Sequence, residues 1–253
     1  MNSETHTGAP TSISVSAAWL SITAAVIVLL LLAGLHVVNP EFDPSWRMVS
    51  EYANGRHGWV LSLMFGAWAV NSWSLGVAIR SQLTTTWGKI GLLFLILAGM
   101  GEAMAAVFDI THPLHTVADG LGIPCLPVAA MLICIQLSRR PAWYPAKKML
   151  LWTANLTWVS VVIAAGTFVL LLVTYSQAGG DLNASSTSVT VLPAGTIGLV
   201  GWANRLLVVL YCVWAVTVAW QSIRLAPSIK GDPQLMVSSR RNNQREGAPA
   251  LPL

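Results

Sequence analysis

Six stretches of nearly continuous apolar residues divide the chain, near 17–38, 59–79, 90–108, 115–137, 149–175 and 194–223. Each is close to or above the roughly 20 residues that a helix needs to cross the hydrocarbon core of a bilayer. The runs are continuous rather than alternating, so they predict helices and not the strands of a membrane barrel. They use up most of the 253 residues and leave no room for a sizeable soluble domain. The expected fold is therefore all-α: a polytopic membrane bundle of six transmembrane helices over 17–225. A polar N-terminal tail, 1–16, precedes it, and a disordered basic C-terminal tail, 226–253, follows it. Residues 1–16 contain no Lys or Arg and lack the basic start of a secretory signal, so the first span is expected to be retained.

Composition agrees with this reading: 55% of residues are hydrophobic, 9% are charged, and the mean hydropathy is +0.63. The net charge of +4 is not a nucleic-acid signal, because the basic residues sort by side of the membrane. Arg80, Lys89, Arg139, Arg140, Lys147, Lys148, Arg224, Lys230, Arg240, Arg241 and Arg245 all fall in segments on one side of a six-span topology. The opposite loops hold Arg47 and Arg56, and Arg205 lies within a span. Positive loops stay inside, so both termini are expected in the cytoplasm of a multi-pass protein of the cell membrane. The partners implied are membrane lipids, with the basic inner face suited to anionic headgroups, and a second copy or another membrane protein. Cys125, Cys134 and Cys212 all lie in spans, without zinc or redox spacing, and read as packing residues.

Local signals refine the picture. The loop 39–58 is punctuated by Pro and Gly, and its middle, Trp46 to Tyr52, predicts a short interfacial helix capped by Ser45. Span two carries Ser62, Gly66, Asn71, Ser72, Ser74 and Gly76, small residues that permit close helix contact. In span three, Ala98, Glu102, Ala105 and Asp109 share one face, which must look into the bundle because lipid would penalise Glu102. Pro124 and Pro127 interrupt span four and free carbonyls that a neighbour or water must satisfy. Trp143 and Tyr144 of the next loop are expected interfacial anchors. The loop 176–193 contains Asn183-Ala184-Ser185, which fits a short glycosylation sequon.

The densest polar stretch runs from Asp109 to Asp119 and includes His112 and His115. Four of the five histidines, His36, His57, His112 and His115, fall at the expected outer face. Arg205 is the cation in the outer half of a span, and a buried charge needs a partner, so it is expected to pair with Glu102 or Asp109. At its plainest, this pairing only fastens span six to span three. A sharper reading is an outward polar pocket whose candidate catalytic groups are Ser50, Glu51, Asp109, His115 and Arg205. In a metal-dependent hydrolase acting on lipid, His115 and Asp119 at i and i+4 would share an ion with His112, and Ser50 or Glu51 would assist. A haem reading would use His36, His57 and His115 as axial ligands. A proton- or ion-coupled transporter would use Glu102 and the kinked span four. A scaffold subunit that recruits a membrane partner is a further class. The residues alone leave open whether the protein is an enzyme.

Several short patterns occur together: Asn39-Pro40; Ser50-x-Tyr52-x-x-Gly55-x-x-Gly58-Trp59; Phe108-Asp109 with His115; and Trp202-x-Asn204-Arg205 followed by Trp214. In this order, and in these positions relative to the spans, the chain resembles the prokaryotic six-span family catalogued as domain of unknown function 998, over about residues 20–225. That family usually has Phe-Pro-x-Asp before the spaced His, whereas here Asp109 follows Phe108 directly. The resemblance implies a six-helix membrane protein with an outward polar site, and no particular activity.

Overall fold

The computed structural model of the chain describes residues 13–182 and 188–230. The sequon Asn183-Ala184-Ser185 and most of both expected tails lie outside the described residues. Six long helices are present among the described residues: α1 Val15–Val38, α2 Gly58–Ile79, α3 Thr86–Val107, α4 Pro113–Ser138, α5 Lys147–Gln177 and α6 Val200–Lys230. Each contains a stretch long and apolar enough to cross a membrane. No strand occurs among the described residues.

The helix ends follow from local chemistry. Thr85 caps α3 by accepting a hydrogen bond from the Gly88 N–H at 3.2 Å. His112 caps α4 in the same way, its Nδ1 accepting from the Leu114 N–H at 3.2 Å, and Pro113 takes the first helical position, where no N–H is needed. The start of α6, expected near 194, falls at Val200. Pro193 and Gly195, the latter at φ +90°, keep the preceding segment irregular. At its other end α6 continues to Lys230, beyond the expected boundary.

Two local expectations are corrected. The turn in the first long loop is a 3-10 helix over Val49–Asn54, and Ser45 does not cap it. The Ser45 N–H instead donates to Asp43 Oδ1 at 2.9 Å, and the Glu51 carboxylate takes the Met48 N–H at 3.0 Å. Trp143 is not an interfacial anchor: it is fully buried beneath the 3-10 turn Pro141–Ala146, while Tyr144 is exposed.

Each helix packs against the next, and α6 closes the ring by packing on α1 and touching α2 across the middle. The α6 residues Val208, Tyr211, Cys212, Trp214, Ala215, Val218 and Ala219 are buried, so this helix supplies much of the centre. The three cysteines are buried as expected, and the Trp214 indole N–H donates to Cys134 Sγ at 3.3 Å. Contact between α3 and α4 is closest at Gly101, where an added Cβ would lie 2.5 Å from the Gly122 nitrogen and 2.6 Å from the Ala118 carbonyl. At this crossing the two backbones touch, as small residues allow between membrane helices.

The prolines of α4 account for one link to α6. Pro127 has no N–H to give the carbonyl of Ile123 four residues earlier. The buried Tyr211 hydroxyl donates to that carbonyl at 2.7 Å. The expected satisfaction by a neighbour therefore comes from a side chain of the sixth helix. Replacing Tyr211 with Phe strands the carbonyl without changing much volume. A thermal melt in detergent should show Tyr211→Phe destabilised by about 1 kcal/mol, the scale of a lost buried hydrogen bond within a membrane bundle.

Candidate functional site

Polar residues gather at the end of the bundle remote from the basic loops, in three neighbouring groups. The first holds the loop 39–58 onto α1 and α6. Arg205, 5% exposed, donates from Nε to His36 Nε2 at 2.7 Å. Its terminal nitrogens donate to the carbonyls of Arg47 and Gly201, both at 2.8 Å, and to the Tyr52 hydroxyl oxygen at 2.9 Å. His36 Nδ1–H donates to the Leu32 carbonyl at 2.8 Å, which leaves Nε2 as the acceptor facing Arg205 and fixes a neutral tautomer. Asn204 accepts from the Val49 N–H at 2.9 Å, and the Gly201 N–H donates to the Ser45 carbonyl at 2.9 Å. Gly201 is needed here because a Cβ would collide with the carbonyls of Pro44 and Arg47.

The loop also neutralises its own charge. Arg47 and Glu51 form a buried ion pair at 2.6 Å. The Arg47 guanidinium lies 4.0 Å above the Trp46 ring and also donates to the Val189 carbonyl. On the other side of the loop, Asn39 Oδ1 accepts from the His57 N–H at 3.2 Å, and His57 Nδ1–H donates to the Val38 carbonyl at 3.0 Å.

The second group lines a cavity of about 350 Å³ where α2, α3 and α4 meet below the loop. Arg56, Ser62, Asp109 and His115 provide its polar lining, and Trp59 and Leu61 are among its apolar walls. Thr111 donates to Asp109 Oδ1 from its hydroxyl at 2.5 Å and from its N–H at 2.9 Å. These bonds hold the exposed carboxyl below the usual carboxylate range. His115, 4% exposed, donates from Nδ1 to the Phe108 carbonyl at 2.8 Å. Its Nε2 is buried without a hydrogen-bond partner and faces Asp119 Oδ1 at 3.7 Å, too far for a direct bond.

The third group lies deeper. Glu102, 5% exposed, accepts a hydrogen bond from Ser72 of α2 at 2.8 Å. It lines a cavity of about 40 Å³ together with Asp119. Ala98, Glu102 and Ala105 face inward as expected, while Asp109 lies beyond the end of α3 and is exposed.

The structure thus brings Asp109 and His115 to one cavity and separates the other expected site residues from it. Arg205 belongs to the loop clamp, and its expected pairing with Glu102 or Asp109 does not form, because carbonyl, imidazole and phenol acceptors already occupy its donors. Glu51 is paired with Arg47, and neither Ser50 nor Glu51 lines the cavity of Asp109 and His115. The expected metal ligands His112, His115 and Asp119 do not converge. His112 Nδ1 is occupied as a helix cap, and no group of three or more His, Cys, Asp or Glu able to hold a metal ion exists among the described residues. The proposed haem ligands His36, His57 and His115 each bond to a backbone carbonyl, and His36 Nε2 is taken by Arg205. Sequence reasoning missed Tyr52, Asn204 and His36 as clamp partners, and Ser72 as the partner of Glu102. A signal existed for Tyr211, since Pro127 announces a carbonyl in need of a donor.

The ring of six apolar helices, with a polar cavity at one end, defines a multi-pass helical membrane protein. The chain belongs to the family described as Protein of unknown function (DUF998), whose profile matches residues 21–221. No curated protein matches the chain, and no solved structure does.

Removing the Arg205 side chain would leave several buried acceptors unsatisfied. Arg205→Ala should lower stability by about 2–4 kcal/mol in a detergent melt, whereas the exposed Arg80→Ala should stay within about 0.5 kcal/mol of the wild type. Equal tolerance of the two would refute the clamp. A second expectation concerns pH. Because the folded Asp109 carboxyl titrates below its unfolded value, its contribution is complete above the ordinary range and is lost as pH falls through the lowered value. The melting-temperature difference between the wild type and Thr111→Val should therefore shrink as pH is lowered below about 4.

Proposed function

We propose that this protein presents an outward-facing pocket, at the junction of α2, α3 and α4, that binds a small polar group carrying both charges. The cavity lined by Arg56, Asp109, His115 and Ser62 supports this reading. Its lining offers a guanidinium for an anionic group such as phosphate and an ionised carboxylate for an ammonium. A phosphoethanolamine head, free or carried by a lipid, has that chemistry. Trp59 on the wall suits a site at the headgroup level. The sorting of Lys and Arg favours an orientation with both termini in the cytoplasm and this pocket on the outer face of the cell membrane. A binding role is favoured over lipid hydrolysis because neither Ser50 nor Glu51 lines the cavity of Asp109 and His115, and Glu51 is paired with Arg47.

Cysteine labelling tests both accessibility and binding. Cys125, Cys134 and Cys212 are buried, which keeps the background low, and Ser62 is an exposed residue of the cavity lining. Ser62→Cys should react with a membrane-impermeant maleimide added outside intact cells. In purified protein, phosphoethanolamine should slow the reaction, and phosphoethanolamine lipids compared with the free head should show which carrier is preferred. Asp109→Asn and Arg56→Gln should each abolish the protection. Labelling only after permeabilisation would reverse the orientation, and protection unaffected by both substitutions would remove the pocket.

A further inference from the structure

Glu102 poses a separate problem. It lies five residues before the end of α3, or about 8 Å inside the helix end at helical rise. Its described polar contact is the hydroxyl of Ser72, and it makes no ion pair among the described residues. The helices packed around it supply few ionisable groups. From α4 comes Asp119, with His115 one turn earlier; α6 contributes Tyr211, whose hydroxyl proton is committed to Ile123, and Cys212. From α2 come Ser72 and the rings of Phe65 and Trp68. None of these side chains is a Lys or Arg. A carboxylate in this place would be a buried anion without a fixed counter-ion, whereas the acid form avoids that cost and keeps the bond from Ser72.

Glu102 is also not sealed off. The cavity it shares with Asp119 measures about 40 Å³, which is room for about one water molecule. Asp119 has a half-exposed side chain and faces His115, which itself lines the outer cavity. The close approach of Gly101 and Gly122 sets this part of α3 directly against α4. Acid–base groups therefore step inward from the outer cavity through His115 and Asp119, across a space for one water, to Glu102.

We propose that Glu102 is a proton-binding site loaded from the outer face of the membrane through Asp119. In loading, the Glu102 carboxylate takes a proton from a water in the small cavity. That water regains a proton from the Asp119 acid, and the Asp119 carboxylate is reprotonated by bulk solvent. The net change is one proton moved from solvent to Glu102, with no other bond made or broken. The site responds to external pH; the groups that carry the proton, Asp119 and Glu102, do not line the ligand pocket, and Arg56 and Asp109 take no part.

Infrared difference spectroscopy of the full chain in lipid vesicles tests this. At neutral pH the wild type should show the C=O stretch of a protonated carboxylic acid that is absent from Glu102→Gln. Ser72→Ala should move that band to higher frequency by removing its hydrogen bond, and this assigns the band to Glu102 even if Glu102→Gln fails to fold. On transfer to heavy water, Asp119→Asn should slow exchange of the band by about 100-fold, the scale for losing a positioned proton-transfer group. A wild type without the band, or a band unmoved by Ser72→Ala, would overturn the proton site. An unchanged exchange rate in Asp119→Asn would overturn the route.

Discussion

A single guanidinium organises the polar end of this bundle. Arg205 is buried in a span yet forms no salt bridge with a carboxylate among the described residues. Its charge is spread over an imidazole, a phenol and two backbone carbonyls. Such an arrangement suits arginine, whose planar fork reaches several acceptors at once. It also fixes the position of a loop that would otherwise lie loosely over the helix ends. Tyr52 and the Arg47 carbonyl belong to that loop, His36 to α1, and Arg205 itself to α6. Because the loop is pinned from below, Arg56 and Gly58 are held in the lining of a cavity to which α3 and α4 also contribute.

The polar groups form layers with different accessibility. Near the rim, Asp109 is exposed and held ionised by Thr111. One level down, His115 is buried with one nitrogen pinned and the other directed at Asp119. Deeper still, Glu102 is enclosed by α2, α4 and α6 and bonded to Ser72. Water contact falls sharply from exposed Asp109 to buried His115 and Glu102, and a formal charge becomes more expensive with it. This gradient separates a surface suited to ligand recognition from an interior suited to holding protons.

Much of the fold was legible in the sequence because a span is a long, redundant signal. Six apolar runs place six helices within a few residues. The exceptions are the two ends of α6: at its start Pro193 and Gly195 were outweighed by the apolar residues around them, and at its other end the helix runs on to Lys230. The inward face of Ala98, Glu102 and Ala105 was legible for the same reason, since lipid permits one orientation only. The pairing of polar groups was not. Reading Arg205 as the partner of an acid assumed that charge seeks charge, but a guanidinium can be satisfied by neutral acceptors from three elements, and their convergence depends on tertiary packing. Trp143 shows a related failure: a tryptophan at a span boundary reads as an interface anchor, and only the tight Pro141–Ala146 turn reveals it as buried. His112 and His115 are neighbours in sequence, yet one caps a helix from outside and the other is buried in the first turn.

The bond between Tyr211 and Ile123 bears on how the chain assembles. Its two partners are 88 residues apart. During synthesis, α4 enters the bilayer with a backbone oxygen that has lost its own donor to proline, and it stays incomplete until the last span arrives. Hydrocarbon tolerates such a vacancy poorly. The first five helices thus wait for α6 to complete them, and a chain truncated before α6 would keep an open polar seam for cellular quality control to recognise.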